Sequence, residues 1–98
     1  VGGVKVGETG ADLALLLALI SSFRNRPLPQ DLVVFGEVGL AGEIRPVTSG
    51  QERISEAAKH CFKRAIVPFA NKPKSAVENM EVFTVKKLSD ALAILDNF

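Results

Sequence analysis

An unbroken apolar run, Leu32-Val33-Val34-Phe35, constrains the fold of this 98-residue chain more than any other feature. A strand with one solvent-exposed face alternates apolar and polar residues, whereas a continuous apolar run is typical of a strand buried on both faces. Pro27 and Pro29 before the run and Gly36 after it separate the strand from its neighbours. Because both faces of such a strand must be covered, the chain has to supply helices that pack against a sheet.

The first predicted helix is opened by the stretch Thr9-Gly10-Ala11-Asp12 and runs to about Asn25. Thr9 and Asp12 form a Thr-x-x-Asp variant of the capping box, which marks a helix start. Leu15 and Leu19 fall outside the stripe that would face the core, so this helix is apolar on two sides and must be covered twice. The second cover is either the domain's own sheet, which we favour, or a neighbouring subunit. The predicted core stripe is Leu13, Leu16, Leu17, Ile20 and Phe23.

The second predicted helix begins within the stretch VTSGQERISEAA. Ser49 and Glu52 have the spacing of a capping box, in which the hydroxyl and the carboxylate each accept a hydrogen bond from the other residue's amide. The stretch is not a P-loop, because it lacks the second glycine and the Lys-Ser/Thr pair. A capped helix start is therefore a sufficient explanation for it. One face of this helix carries Ile54, Ala57, Ala58, Cys61 and Phe62.

The rest of the pattern predicts strands at residues 4–6, 31–38, 43–47, 64–68 and 81–85, and a third helix over about 87–96. The strands at 31–38 and 43–47 are expected to form a hairpin, with a bulge or a close approach at Gly36. The order β-α-β-β-α-β-β-α mixes a hairpin with helix-linked strands. It predicts a single α+β domain over residues 1–98, with helices packed against a mixed sheet.

Residues that carry enzymatic and metal chemistry are scarce. Cys61 and His60 are the only cysteine and histidine, which excludes an internal disulfide and leaves almost no ligands for zinc, so we expect no metal site. We expect Cys61 to be a buried apolar residue, His60 to be a solvent-facing or packing residue, and Glu37 and Glu43 to be surface or ion-pair residues. Cysteine usage favours a cytoplasmic setting. The apolar run at residues 13–20 is too short to cross a bilayer.

Charge is unevenly distributed although the formal net charge is only +1. Residues 59–87 hold seven Lys and Arg against two Glu, whereas residues 1–58 hold five Lys and Arg against seven Asp and Glu. The basic surface is either a solvated face or a contact for the phosphate backbone of DNA. No aromatic residue is interleaved at the positions expected to be exposed, so base stacking is not expected. The candidate DNA-binding residues are Lys59, Lys63, Arg64, Lys72 and Lys74.

Three segments, GETGADLALLLALISSFRNRPLP, DLVVFGEVGLAGEIRPV and SGQERISEAAKHCFKRAIVP, resemble the carboxy-terminal domain of the RadA (Sms) family of bacterial DNA repair proteins. The resemblance covers essentially the whole chain. That domain is in turn similar to the proteolytic domain of Lon, so the resemblance implies a Lon-like fold. Lon has a nucleophilic serine at the start of its first long helix and a lysine base early in its second. Counted from the shared Gly36-Glu37 and Pro46, these places fall on Gly10 and Gln51.

The resemblance therefore implies a domain that does not cut peptide bonds. Glycine has no side chain that could attack, and a glutamine amide is not a useful base at neutral pH. Thr9, Thr48, Ser49 and Lys5 lie near the two places, but each has a sufficient explanation as a cap, turn or strand residue.

The role that the resemblance implies is architectural. Lon-type domains form six-membered rings, and the RadA family implies a ring-forming ATPase that acts on DNA in recombinational repair. In that family a zinc-binding motif and a RecA-like ATPase core precede this domain, so we expect a carboxy-terminal fragment of a longer protein. ATP, Mg and Zn would then bind elsewhere, and this domain would hold no cofactor.

We expect a non-catalytic assembly platform with Leu15 and Leu19 at the subunit interface and with DNA, not a membrane, as a partner. The alternatives are a DNA-binding module without a scaffolding role and a residual serine-type peptidase.

Overall fold

The structure, a computed structural model, describes residues 11–75 and 77–98 and has an α+β fold. Helices lie on both faces of a small parallel sheet, with α1 and α3 on one face and α2 on the other. The strand predicted at residues 4–6 lies outside the described residues. In chain order the elements are α1 (Asp12–Phe23), β1 (Leu32–Val34), β2 (Glu37–Val38), β3 (Ile44–Arg45), α2 (Gly50–Lys59), β4 (Arg64–Pro68), a 3-10 helix (Phe69–Asn71), β5 (Glu81–Val85) and α3 (Leu88–Asp96).

The parallel sheet has the strand order β1-β4-β5, so β4 is its central strand. Side chains of β4 alternate between the two faces, and Ile66 packs into the core beneath α1 and α3. Ala65 and Val67 pack on the other face against Ile54 of α2, and all four of these side chains are fully buried. The strand that is buried on both faces is therefore β4, whereas the prediction made this claim for the run at residues 32–35, whose strand β1 lies at the sheet edge with Val33 and Val34 only half-buried.

The predicted hairpin is present, but it is shorter than expected. The strand predicted at residues 31–38 is divided at Gly36: β1 pairs in parallel with β4, and only β2 pairs antiparallel with β3. Gly36 has a φ of 150°, and a Cβ there would lie 3.2 Å from side-chain atoms of both Ile44 and Pro68. This confirms the close approach predicted at Gly36. The hairpin then reaches the end of β5 through a bridge between Glu43 and Lys87.

Helix α3 agrees with its prediction in extent and in orientation. The carboxylate of Asp90 accepts hydrogen bonds from the amides of Lys86 and Lys87, at 3.1 and 3.2 Å, and so caps the start of the helix. Ala91 is fully buried at the centre of the predicted apolar face. Leu88, Leu92 and Leu95 pack against the same core.

Helix α2 begins where predicted, but the predicted capping box is wrong. Ser49 has left-handed backbone angles, φ 59° and ψ 34°, and its side chain caps nothing. The preceding loop is held instead by Asn71, whose side chain accepts from the amide of Val47 at 2.8 Å and donates to its carbonyl at 3.0 Å. Gly50 packs directly on Asn71. The loop before α2 is thus held by a residue 24 positions after Val47 and not by a local capping box.

The prediction that Cys61 is buried is also wrong, because the thiol side chain is exposed. Helix α2 ends at Lys59, and Cys61 has a left-handed φ of 69° in the turn that follows. Helical spacing stops applying once the chain leaves the helix. Ile54 and Ala57, the first two members of the predicted apolar face, lie within α2 and are buried as expected.

Candidate functional site

A stripe of exposed apolar side chains runs along the outer side of α1. Leu15 is 57% exposed, Leu19 63% and Phe23 92%, and the three residues are spaced at i, i+4 and i+8. We call them the α1 stripe. In the described part of the chain no other element covers them. The strand predicted at residues 4–6 lies outside that part, so the sheet and a neighbouring subunit both remain possible second covers. The prediction that Phe23 is a core residue is wrong.

The core side of α1 explains why Phe23 is exposed. Leu13 and Leu17 are fully buried, and the next residue at this spacing is Ser21, which is buried and donates its hydroxyl hydrogen bond to the carbonyl of Arg26. The side chains that face the core are therefore spaced four apart. Phe23, four residues after Leu19, continues the exposed side instead.

Contacts at both ends of α1 hold the stripe on a rigid helix. At the amino end the Leu13 amide donates to the Gly36 carbonyl at 3.0 Å, and Asp12 accepts from the amide of Val38 at 3.4 Å. At the carboxyl end Arg24 pairs with Asp96 at 3.0 Å. The helix is thus fixed to the hairpin and to α3, and it presents the same apolar surface to any partner.

Of the two places to which the resemblance to Lon would assign a catalytic dyad, the structure describes only that of Gln51. Gly10 lies outside the described residues, as do Thr9 and Lys5. Gln51 is exposed in the first turn of α2. Its amide cannot take a proton from a hydroxyl at neutral pH.

The remaining candidates for peptidase chemistry are not brought together. Thr48 and Ser49 are exposed at the amino end of α2, whereas His60 follows its carboxyl end and bonds to Glu56 at 3.1 Å. With a rise of about 1.5 Å per residue, the two ends of this helix are about 15 Å apart. His60 is therefore too far away to activate either hydroxyl, and it is solvent-facing as predicted.

The five basic candidates fall into two separate groups. Lys59, Lys63 and Arg64 lie at the amino end of β4, whereas Lys72 and Lys74 follow the 3-10 helix beyond its carboxyl end. The five residues of β4 separate the groups by about 16 Å. The four lysines are exposed, whereas Arg64 lies 3.9 Å from Asp31 and 4.9 Å above the Phe98 ring. Arg64 is therefore partly occupied by contacts within the chain.

An exposed aromatic residue stands near the second group. Phe69 is 49% exposed at the carboxyl end of β4, and the Lys86 ammonium lies 4.6 Å from its ring centroid. The expectation that no exposed aromatic accompanies the basic residues is therefore wrong. Sequence reasoning missed Phe69 because it directly follows a buried strand, although Pro68 before it was a signal that the strand ends there.

Glu37 and Glu43 are ion-pair residues, as predicted. Arg45 lies 2.8 Å from Glu43 and 3.5 Å from Glu37 across the hairpin. The hydrogen bond from Arg45 lowers the pKa of the Glu43 carboxyl, and the same bond raises the pKa of Arg45. This group is a surface clamp on the hairpin. It does not have the arrangement of an acid and base pair.

Residues 11–75 and 77–98 have neither a metal site nor a membrane-spanning helix. Within these ranges no three His, Cys, Asp or Glu side chains come together as a metal site. None of the helices there has the length and the apolar content needed to span a bilayer.

The comparison with protein families matches residues 3–71 to the family model ChlI, described as subunit ChlI of Mg-chelatase. The chain belongs to this family. The matched range extends from before α1 through the hairpin, α2 and β4 to the 3-10 helix. It therefore contains the α1 stripe and the place of Gln51.

Whole proteins of similar sequence carry the name DNA repair protein RadA. The chain is 91% identical over 97 residues to the protein of Haemophilus influenzae and 78% identical over 97 residues to that of Escherichia coli. It is 64% identical over 95 residues to the protein of Pseudomonas aeruginosa. These matches cover 97 to 99% of this chain but only 21% of each relative. The chain thus spans about a fifth of the length of the relatives it matches.

Proposed function

We propose that this chain is a Lon-like, non-proteolytic assembly domain of a RadA-type DNA repair protein and that it holds neighbouring subunits together in a ring. The observation that carries the proposal is the α1 stripe. Three large apolar side chains remain exposed on a helix whose other side is firmly packed.

The composition of α1 supports an interface. Asp12 is the only charged residue in the helix, and charge depletion is typical of the centre of a protein interface. Burying one leucine or phenylalanine side chain contributes about 1.5–3 kcal/mol, so covering the stripe on each subunit is a substantial driving force. A contiguous apolar patch on a rigid helix is a common mark of protein association.

The close relatives support the biological setting. Proteins that are 78 to 91% identical over this region carry the name DNA repair protein. We therefore place this domain in a cytoplasmic ATPase that acts on DNA, in which ATP, Mg and Zn bind outside the present chain.

Assembly is tested by introducing charge into the stripe of the full-length protein. Leu15→Glu and Leu19→Glu, separately and together, should shift the protein from rings to smaller species in light scattering coupled to size exclusion. Leu40→Glu is the matched control, because Leu40 is a fully exposed leucine in the hairpin loop and is not part of the α1 stripe. Rings that survive the double change would refute an interface at the stripe.

The absence of peptidase activity is a second part of the proposal. It is supported by the exposed Gln51 and by the separation between His60 and the hydroxyls of Thr48 and Ser49. Incubation with an unfolded protein substrate should give no cleavage under conditions in which an authentic Lon protease is active. Cleavage that disappears in Ser49→Ala would show that the chain uses a nucleophile of its own.

A DNA-binding role is the alternative that a specific observation favours. Lys72 and Lys74 lie in the loop after Phe69, and the Lys86 ammonium makes a cation–π contact with the Phe69 ring. The lysines could contact phosphates, and the ring offers a surface for base stacking. We propose that this end of β4 contacts DNA, and that Lys59 and Lys63 form a second contact at the opposite end.

The salt dependence of DNA binding separates these two groups. Replacing Lys72 and Lys74 by Gln should lower the slope of log affinity against log salt by about 1 for each lost phosphate contact. Replacing Lys59 and Lys63 by Gln measures, in the same way, how many phosphate contacts the lysines at the amino end of β4 make. If no protein–DNA complex forms at low salt, the proposed DNA contact is wrong, whereas the assembly role is untouched.

A further inference from the structure

The outer edge of β5 has backbone groups that the described part of the fold does not pair. In a parallel ladder, alternate residues of a strand bond to each neighbour. The Glu81 amide donates to the Lys63 carbonyl at 2.8 Å, and the register then directs the backbone groups of Glu81, Phe83 and Val85 toward β4. The amides and carbonyls of Val82 and Thr84 therefore point away from β4. Among the described residues no further strand pairs with Val82 or Thr84, and the backbone hydrogen bonds between the hairpin and this part of the chain begin only beyond the end of β5, where the Ile44 amide donates to the Lys86 carbonyl at 2.9 Å.

A groove runs beside this edge on the α2 face of the sheet. We call it the β5 groove. Val77, Met80 and Val82 give it an aliphatic floor, and the side chains of Val82 and Thr84 both face into it. Its charged lining residues are Lys72 and Lys74, and no Asp or Glu lines it.

We propose that the β5 groove binds an extended acidic peptide, which pairs with the backbone of Val82 and Thr84 as an added strand. Strand addition at an open sheet edge takes its affinity from main-chain hydrogen bonds and its specificity from pockets for alternate side chains. The aliphatic floor accepts every second side chain of the peptide, and Lys72 and Lys74 pair with its carboxylates.

The chemistry of the β5 groove favours a peptide over a nucleic acid, so this proposal competes with the DNA contact that the alternative function assigns to Lys72 and Lys74. A strand edge offers N–H and C=O groups at the regular spacing of a polypeptide, which a sugar-phosphate backbone does not match. The floor contains neither an aromatic ring nor an arginine on which a base could stack. Sheet edges are usually protected by charged residues on the strand itself. Here the two edge-facing residues, Val82 and Thr84, carry no charge.

Thr84→Pro tests the pairing in the full-length protein. Because the Thr84 amide points away from β4, proline there removes an edge donor without removing a hydrogen bond of the β4–β5 ladder. Thr84→Val is the matched control, since it keeps the amide and a β-branched side chain. The probe is a fluorescein-labelled octapeptide that alternates Val or Ile with Asp or Glu, and binding is followed by fluorescence anisotropy.

The acidic peptide should bind the wild-type protein and Thr84→Val with similar affinity. We expect binding to Thr84→Pro to be about tenfold weaker, because a main-chain hydrogen bond is lost and the added strand is distorted. Methylating the peptide amides that would pair with β5 should have a similar effect and leaves the protein unchanged, so it covers the case in which Thr84→Pro does not fold. Changing Lys72 and Lys74 to Glu should shift the preference toward a peptide with Lys at the acidic positions.

Several results would overturn the proposal. Equal binding of acidic and basic peptides by the wild-type protein would remove the role of the lysines, and unchanged binding by both Thr84→Pro and the methylated peptide would remove the strand pairing. Loss of binding to a single-stranded oligonucleotide in Thr84→Pro would assign the groove to nucleic acid. A changed subunit number in Thr84→Pro would assign the edge to a second copy of the chain. The binding results do not bear on the proposed assembly role, because the α1 stripe lies on a different element. A changed subunit number would instead add the β5 edge to the subunit interface, and the charge changes at Leu15 and Leu19 test the stripe separately.

Discussion

The clamp that Asn71 forms on the loop before α2 leads to a sharp prediction about stability. Its side chain makes two hydrogen bonds to the backbone of Val47, at 2.8 and 3.0 Å, in a half-buried setting. A typical hydrogen bond contributes about 0.5–1.5 kcal/mol to the free energy of unfolding, and leaving a buried polar group without a hydrogen-bond partner costs about 1–3 kcal/mol. Because water can partly replace Asn71 at this depth, we expect Asn71→Ala to lower the free energy of unfolding by about 2 kcal/mol. For a domain of this size that corresponds to a fall in Tm of about 8–16 °C.

Urea and thermal unfolding followed by circular dichroism measure this loss, and Asn97→Ala is the control. Asn97 also donates to a backbone carbonyl, at 3.0 Å, but it is exposed at the end of α3. Its removal should cost less than about 0.5 kcal/mol. Asn71→Asp should be intermediate or worse, since it keeps the acceptor for the Val47 amide but turns a carboxylate toward the Val47 carbonyl. Equal stabilities of Asn71→Ala and Asn97→Ala would refute the clamp.

A double-mutant cycle with Gly50 sharpens the same test. A Cβ at Gly50 would lie 2.5 Å from the Asn71 side-chain nitrogen, so Gly50→Ala must displace the clamp. The cost of Gly50→Ala should therefore be smaller in the Asn71→Ala background than in the wild type. Additive costs would show that Gly50 is needed for some other reason.

Three further predictions concern the core and the hairpin. Gly36→Ala should destabilise the fold by about 2 kcal/mol or more, because a side chain there combines a positive φ with close contacts; chemical denaturation measures the loss, and an unchanged midpoint would contradict it. Ile54→Ala should cost about 2–5 kcal/mol by leaving a cavity under α2, whereas a loss below 1 kcal/mol would mean that the site collapses freely. Glu43 should titrate below its ordinary value of 4.5 in an NMR pH titration, and Arg45→Gln should remove the shift. Because folding lowers the pKa of Glu43, the stabilisation from the Glu43–Arg45 pair is present above the unfolded pKa and is lost as the pH falls through the folded pKa. If Glu43 has the same pKa in Arg45→Gln as in the wild type, Arg45 is not the cause of the shift.

Several elements were predictable because their signal is local. Helix α3 and strands β4 and β5 begin and end where apolar periodicity, proline and polar residues indicate. The close approach at Gly36 was likewise visible as a glycine that interrupts an apolar run. In each case the residues that decide the structure are neighbours in the chain.

Other features depend on contacts between distant parts of the chain, and sequence reasoning was wrong about several of them. Ser49 and Glu52 have the spacing of a capping box, but the Asn71 clamp sets the loop in another conformation. Phe23 has the hydrophobicity of a core residue, but Ser21 takes the buried place at the end of α1. Periodicity states which residues share a face of a helix. It does not state which face the rest of the fold will cover.

The sequence by itself determined that apolar strands alternate with amphipathic helices, because hydrophobic spacing is a property of neighbouring residues. It also determined that glycine and glutamine occupy positions 10 and 51, where the resemblance to Lon would place a serine and a lysine. Only the tertiary structure decided that, within the described residues, Leu15, Leu19 and Phe23 are exposed, the basic residues fall at two ends of β4, and no strand pairs with the outer edge of β5. Each of these depends on where separate segments meet in space, which no local pattern encodes.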